Sequence, residues 1–183
     1  MKVRSPGVTL LPMPSQRPSP DEYAPHQEMY VSLIETPVLE TLRAQEAVMA
    51  TLPGRIVDPA FRYHPKKWSV REVIGHMADA ERVYQYRALV LARGGDPDLK
   101  RWDPDGYVAA ANFEERTVGD LVEELLHVRK ATTLFFAGLP HAAWPRGGTL
   151  NGKPLTVRAL AFIAAGHFQR HVNVLRERYG VAI

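Results

Sequence analysis

Near its C-terminus the chain reads Thr156-Val-Arg-Ala-Leu-Ala-Phe-Ile-Ala-Ala-Gly-His-Phe-Gln-Arg-His-Val-Asn-Val-Leu-Arg-Glu-Arg-Tyr-Gly180, and apolar residues recur in it at helical spacing. Thr156 is a suitable N-cap and Gly180 a suitable stop, so this run predicts one long helix. His167 and His171 are four residues apart and therefore share a face of that helix. Two imidazoles in this arrangement can bind one metal ion together, but a pair does not complete a site.

Three earlier segments also carry helix signals. Ser69-Val-Arg-Glu72 matches a capping box, in which the serine and glutamate side chains satisfy free backbone donors. Thr117 precedes another periodic run, and Thr36-Pro37 reads as an N-cap followed by proline at the first helical position. The predicted helices span about 37–52, 70–93, 118–139 and 157–179.

Four helices in one chain predict an all-α fold, a four-helix bundle formed by residues 26–183 as a single domain. Residues 1–25 are Pro-rich and lack periodicity, so we expect an extended or partly disordered arm. The second connection, 94–116, is long and predicts a topology other than simple up-down-up-down, with one short helical piece at Tyr107 to Phe113. Asn151-Gly152 predicts a tight turn or small hairpin in the third connection.

Composition narrows the possible functions. The 183 residues include 45% hydrophobic residues, which is enough for one domain with a sizeable core. A net charge of +3 is spread along the chain without a dense basic block, so we expect no nucleic-acid partner. Cysteine is absent, which leaves His, Asp and Glu for metal or acid–base chemistry. We expect neither a membrane span nor a secretion signal, and a cytoplasmic protein is the default.

A third histidine falls on an inward face of the second predicted helix. His76 shares a mostly apolar stripe with four residues: Ala80, Val83, Arg87 and Val90. Together with His167 and His171 it would give three nitrogen ligands and one open position, the pattern of a catalytic metal site. From spacing alone, the alternative that these are core histidines satisfied by hydrogen bonds stays open.

Other titratable residues receive less specific roles. His127 lies beside Glu123, Glu124 and Arg129, and we therefore expect His127 on an exposed face of the third helix. Asp79 and Glu81 lie near His76 in sequence and could orient a ligand, but solvated or ion-paired roles are favoured.

A set of motifs adds a family resemblance from about Tyr23 onward. The motifs are Tyr63-x-x-x-Lys67-Trp-Ser-Val-Arg-Glu-Val-Ile-Gly-His-Met-Ala-Asp-Ala-Glu81, Tyr86-Arg-Ala-Leu89, and Gly166-His-x-x-x-His171 with the trailing Leu175-Arg-Glu-Arg-Tyr179. In these the chain resembles the DinB/YfiT-like superfamily of metalloenzymes. The resemblance implies an up-down-down-up bundle, usually dimeric, in which three histidines matching His76, His167 and His171 hold a divalent metal such as zinc or nickel. Ligand type alone also allows iron or manganese. Arg170 stands where many relatives have another histidine.

The resemblance also implies a choice of activities. Relatives with an assigned activity are S-transferases and isomerases that use low-molecular-weight thiols such as bacillithiol or mycothiol. Others are described as hydrolases. The leading hypothesis is a metal-dependent S-transferase that activates such a thiol against a small-molecule electrophile. The alternatives are a metal-dependent hydrolase, a non-catalytic metal- or ligand-binding stress protein, and a purely structural bundle. A homodimer is expected, and no catalytic residue beyond the ligands is assigned.

Four residues are assigned to the surroundings of this site. Arg87 could bind a carboxylate of the thiol cofactor, although a buried ion pair with Glu46 or another acidic residue is the favoured role. Trp68, Tyr30 and Asn112 could line the mouth, with core packing as the more common role for such aromatic residues.

Overall fold

Four long helices form the core of the protein in the computed structural model, which describes residues 16–35, 37–95 and 97–183. In chain order the helices are α1 (Glu28–Val31), α2 (Val38–Thr51), α3 (Val70–Ala92), α4 (Pro104–Ala111), α5 (Val118–Ala137) and α6 (Val157–Tyr179), and the strands are β1 (Asp98–Leu99), β2 (Gly147–Leu150) and β3 (Lys153–Thr156). The predicted four-helix bundle is formed by α2, α3, α5 and α6, but the fold is mostly helical rather than all-α because it includes three short strands. No helix in the described ranges is both long and apolar enough to cross a membrane.

The helix starts follow the capping residues. The Ser69 hydroxyl accepts from the Glu72 N–H at 3.2 Å, and the Glu72 carboxylate accepts from the Ser69 N–H at 2.7 Å. Thr117 and Thr156 likewise each accept from the N–H of the third helical residue, at 3.1 Å. At the other end of α6, Gly180 has a φ of 70°, which glycine adopts without strain. These contacts satisfy backbone groups that a helix end leaves free.

Two helix boundaries differ from the prediction. Pro37 is the N-cap of α2 rather than its first helical residue, and Thr36 lies outside the described residues. Helix α4 begins at Pro104, three residues before the predicted start, because proline fits the first helical turn, where no N–H is needed. Both differences fall at helix ends, where sequence patterns are least specific.

Helices α2 and α3 each pack against both α5 and α6. Glu114, just before α5, forms ion pairs at 2.8 Å with Arg62 and at 3.3 Å with Arg71. Helices α3 and α5 therefore begin at the same end of the bundle. Arg55, just after α2, donates to the carbonyl of Ala182, just after α6, at 2.7 Å. Helices α2 and α6 therefore end close to one another.

A buried polar network joins all four long helices. The Arg129 guanidinium on α5 is fully buried and donates to both oxygens of Glu81 on α3, at 2.6 and 2.8 Å. It also donates to Gln45 on α2, whose amide donates to the Ala165 carbonyl on α6 at 2.9 Å. Arg129 faces the core from α5, and its charge is paired with that of Glu81. His127 is exposed, as predicted.

A small sheet covers one end of the bundle. Strands β2 and β3 form an antiparallel hairpin around the predicted turn, where Asn151 and Gly152 have φ values of 53° and 70°. Two consecutive positive φ values match the tight turn that fits the twist of a hairpin. Strand β1, from the long second connection, pairs with β2 in parallel. The sequence pattern did not predict β1.

Part of the Pro-rich N-terminal segment lies against the bundle. Tyr23 and Ala24 are buried, and the Glu22 carboxylate accepts from Arg158 at 2.9 and 3.0 Å and from Thr156 at 2.8 Å. These contacts fix the segment at the start of α6 and lead the chain into α1. Residues 1–15 of the predicted arm lie outside the described residues.

Candidate metal centre

Three histidine rings from two helices converge on one point. His76 comes from α3, and His167 and His171 come from adjacent turns of α6. The Nε2 atom of His167 lies 3.1 Å from that of His76 and 3.2 Å from that of His171. Ligand atoms of all three rings lie within 4.8 Å of one another, and no acidic side chain of the described residues joins this group. These are the three histidines predicted from the sequence to share a metal.

The Nε2 separations fit a shared metal ion. Four ligands placed tetrahedrally about 2.0–2.1 Å from zinc are about 3.3–3.4 Å apart, close to the two separations in the protein. The Nδ1 atoms of His76 and His171 are buried and contact no hydrogen-bonding partner among the described atoms. A ring with its proton on Nδ1 turns the Nε2 lone pair towards the other two rings. Three lone pairs that face one point repel each other and attract a cation.

Burial keeps the three rings neutral. It lowers the pKa of His76 to about 4. Burial, followed by electrostatic interactions with His76 and Arg170, lowers the pKa of His171 to about 3. The pKa of His167 is held well below its usual value, again chiefly by burial. Near neutral pH all three rings therefore keep a lone pair available for a metal.

Aromatic side chains surround the histidines. The rings of Trp68 and Trp102 lie 4.5 and 5.7 Å from that of His76, and Trp102 is stacked parallel to it, with 1° between the planes. The rings of Tyr30 and Tyr84 lie 5.5 and 5.4 Å from that of His167. These rings restrict the orientation of the imidazoles and displace water from their sides.

A glycine precedes each of the two most buried histidines. A Cβ atom at Gly166 would lie 2.1 Å from the Tyr30 carbonyl oxygen, so only glycine lets α1 pack this closely on α6. A Cβ atom at Gly75 would lie 2.4 Å from the Phe113 ring. Close packing thus positions α1 and the segment before α5 beside the histidine centre.

A cavity of about 720 Å³ opens from the three histidines to solvent. Four cationic side chains line it: Arg87, Arg101, Lys153 and Arg170. One carboxylate, that of Asp105, is also in the lining. The volume is typical of a site for a drug-sized molecule, and the charge balance favours an anionic one.

The contacts of Arg87 differ from the buried ion pair that the sequence favoured. Its guanidinium donates to the carbonyl of Lys100 at 2.8 Å and forms no ion pair with a described carboxylate. The predicted partner, Glu46, accepts instead from Thr133 at 3.3 Å. The prediction of a buried ion pair for Arg87 is wrong, because this side chain lies at the cavity rather than beside a described carboxylate. Burial lowers the pKa of Arg87.

The remaining predicted site residues divide into two groups. Trp68 and Tyr30 line the cavity, which was the less favoured of their two roles, and both also pack against the apolar core. Asn112 does not line it, and its backbone with a φ of 55° ends α4 instead. Asp79 pairs with Arg82 at 3.5 Å, in agreement with the favoured ion-paired role.

Several lining residues were missed by the sequence analysis. Trp102 and Arg101 belong to the long second connection, and Lys153 belongs to β3. Irregular segments lack the repeating pattern that shows which side chains of a helix face the core. No local signal in the sequence therefore identifies these residues. The unusual length of the second connection was the only indication of a functional segment.

A helical bundle with three convergent neutral histidines beside a solvent-open cavity is the architecture of a helical metalloprotein. The family model of the DinB superfamily matches residues 27–175, and the chain belongs to this superfamily. All three histidines lie within the matched range.

One solved structure extends this assignment to the fold. YfiT from Bacillus subtilis is similar with a TM-score of 0.68 and 16% sequence identity, over 79% of this chain and 87% of that chain. YfiT is described as a probable metal-dependent hydrolase with an unusual four-helix bundle topology. At this identity the similarity shows the fold. No curated protein matches the sequence.

Proposed function

We propose that this chain is a divalent-metal-dependent enzyme with His76, His167 and His171 as the protein ligands. The observation that carries the proposal is the convergence of three neutral Nε2 atoms, 3.1 and 3.2 Å apart, beside an open cavity. Three protein ligands leave a position for a reactant, as in catalytic sites. Zinc or nickel is the expected metal, with iron or manganese as alternatives.

The proposed reaction is transfer of a low-molecular-weight thiol to an electrophilic small molecule. A divalent ion would supply a Lewis acid that lowers the pKa of a thiol at the open position. The thiol proton would pass to solvent, the sulfur would form a bond to the electrophilic carbon, and the leaving group would depart with its bonding electrons. Hydrolysis would need a buried general base to take a proton from water. Asp105, the carboxylate in the cavity lining, is exposed, so the cavity offers little help to a water nucleophile.

The surrounding residues have matching roles in this proposal. Arg87 binds a carboxylate of the thiol, since its guanidinium lines the cavity and has no carboxylate partner among the described residues. Trp68 and Trp102 pack on His76 and keep water from one side of it. Arg170 adds positive charge at the cavity, which favours the thiolate over the thiol.

Metal-dependent hydrolysis is the second candidate, because YfiT is described as a probable metal-dependent hydrolase. Water would then take the place of the thiol at the open position. The third candidate is a metal- or ligand-binding stress protein without turnover. We also propose a homodimer in the cytoplasm and an up-down-down-up course of the bundle. Helices α3 and α5 begin at the same end of the bundle, and α2 and α6 end close to one another. Both observations support that course.

Metal content tests the ligand assignment. Protein purified without a histidine tag should contain about one divalent metal per chain by elemental analysis. His171→Ala should lose most of it, whereas His127→Ala, on an exposed face of α5, should retain it. Equal metal content in the two variants would show that the triad does not hold the metal.

Turnover separates the three candidates. Metal-loaded protein is assayed for thiol-dependent loss of monochlorobimane with several bacterial thiols, and for hydrolysis of activated esters without thiol. Thiol-dependent loss that disappears in His76→Ala supports the transferase. Ester hydrolysis alone supports the hydrolase, and the absence of both with retained metal supports the binding protein. Light scattering tests the dimer.

A further inference from the structure

Two buried arginines in this protein have very different partners. Arg129 is fully buried, and its charge is matched by two hydrogen bonds to the Glu81 carboxylate. Arg87 is only 5% exposed, yet its hydrogen-bond acceptor among the described residues is one neutral carbonyl, that of Lys100. Buried guanidinium groups are rarely left without an anion. The contrast indicates that the anion for Arg87 comes from outside the chain.

The unused donors of Arg87 are available to such an anion. A guanidinium has five N–H donors, and the Lys100 carbonyl takes one of them. Arg87 lines the cavity, and none of its nitrogen atoms is among the buried polar atoms without a partner. The remaining donors therefore reach the cavity space. A carboxylate or phosphate can accept two of them at once.

A second set of cations lies at the cavity opening. Arg101, Lys153 and Arg170 line the cavity from three different elements, are exposed, and form no ion pair with a described carboxylate. Arg87 is buried whereas these three are exposed, so the two sets lie at different depths. A cavity of about 720 Å³ is also far larger than a single carboxylate or phosphate would fill.

We propose that this cavity binds a ligand with two separate anionic groups, one held by Arg87 and the other by the cations of the opening, chiefly Arg170. The proposal rests on the proposed function in taking the same cavity as the place where the substrate or cofactor binds. It adds the chemical class of that ligand, a molecule with anionic groups at both ends and its reactive centre between them.

A series of dicarboxylates tests the two anchors. Succinate, glutarate, adipate and pimelate are titrated into the protein by calorimetry, with butyrate and inorganic phosphate as comparisons. Metal-free and metal-loaded protein are both used. At least one dicarboxylate should bind about tenfold or more tightly than butyrate in both forms, because it gains a second charge-assisted contact.

Variants then locate the two contacts. Arg87→Gln and Arg170→Gln should each reduce the affinity of the best dicarboxylate to about that of butyrate. Arg178→Gln, an exposed arginine on the same helix as Arg170 but outside the cavity lining, should leave the affinity unchanged. Arg87→Lys should keep part of the advantage, which provides a second measurement if Arg87→Gln fails to fold.

Three outcomes would overturn the two-anchor proposal. Equal affinity for dicarboxylates and butyrate would show that no second anchor exists. Inorganic phosphate that binds as tightly as the best dicarboxylate would show a single anion site. A dicarboxylate advantage found only in the metal-loaded form would assign recognition to the metal and would leave the proposed function intact. Conversely, if the protein binds no metal but still binds a dicarboxylate more tightly than butyrate, the proposed function is contradicted and the two-anchor proposal is not.

Discussion

Gly166→Ala should weaken the packing of α1 on α6 at the histidine centre. The added Cβ atom would lie 2.1 Å from the Tyr30 carbonyl oxygen, 2.6 Å from its carbonyl carbon and 2.9 Å from its Cα. All three are backbone atoms, so no side-chain rotation relieves the overlap. Ordinary contact begins at 3.4 Å, which requires α1 to move by about 1.3 Å.

Two opposing effects determine the size of the change. Overpacking of this kind costs about 1–3 kcal/mol. Alanine is also a better helix former than glycine by about 1 kcal/mol, which offsets part of that cost. We expect a net loss of about 0–2 kcal/mol in the free energy of unfolding. For a protein of this size, the upper end of that range lowers the melting temperature by about 4–8 °C.

Gly119→Ala is the matched control for this prediction. The nearest atom to a Cβ atom at Gly119 is the Thr117 hydroxyl, at 3.6 Å, so the substitution adds no overlap. It should leave stability unchanged or raise it slightly. Urea and thermal unfolding of both variants, with metal content measured in parallel, check the expectation. If Gly166→Ala is as stable as Gly119→Ala, the close contact between α1 and α6 does not exist.

Three further substitutions test other contacts. Glu81→Gln leaves a fully buried guanidinium without its charge partner and should lower the free energy of unfolding by about 3–5 kcal/mol in urea titrations. Burial raises the pKa of the Glu22 carboxyl, but hydrogen bonds, chiefly from Arg158, hold it below its usual value of 4.5 overall. The stability from this contact is present above pH 4.5 and is lost as the pH falls below that value. Between pH 7 and pH 3.5 the melting temperature of Glu22→Gln should therefore drop less than that of the wild-type protein. Gly75→Ala should destabilise the protein through its overlap with the Phe113 ring, and adding Phe113→Leu should recover part of the loss in urea unfolding; simple additivity of the two changes would refute the contact.

The sequence was sufficient for the regular parts of this protein. Ser69, Thr117 and Thr156 each start a long helix where predicted, because a cap is a local contact between neighbouring residues. His76, His167 and His171 lie on helical stripes whose inward direction follows from their apolar neighbours. Helical periodicity therefore identified all three members of the centre, although only the family resemblance selected metal binding over core packing.

Pairing between distant segments could not be predicted in the same way. Arg87 and Arg129 both occur within predicted helices, and no local feature indicates which one pairs with a carboxylate. The answer depends on the neighbouring helix, which brings Glu81 to Arg129 and leaves Arg87 at the cavity. Trp102 and Lys153 were missed for a related reason, because they reach the cavity from segments without a repeating pattern.

Part of the cavity wall comes from a different stretch of the chain than the three histidines. Ala24 and His26 line the cavity but precede residue 27, where the similarity to the DinB superfamily begins, whereas the three histidines lie within it. The three histidines thus lie in the part of the chain that the family model covers, and part of the cavity wall lies ahead of it. Substitutions at Ala24 or His26 would therefore change the wall of the cavity without replacing any of the three histidines.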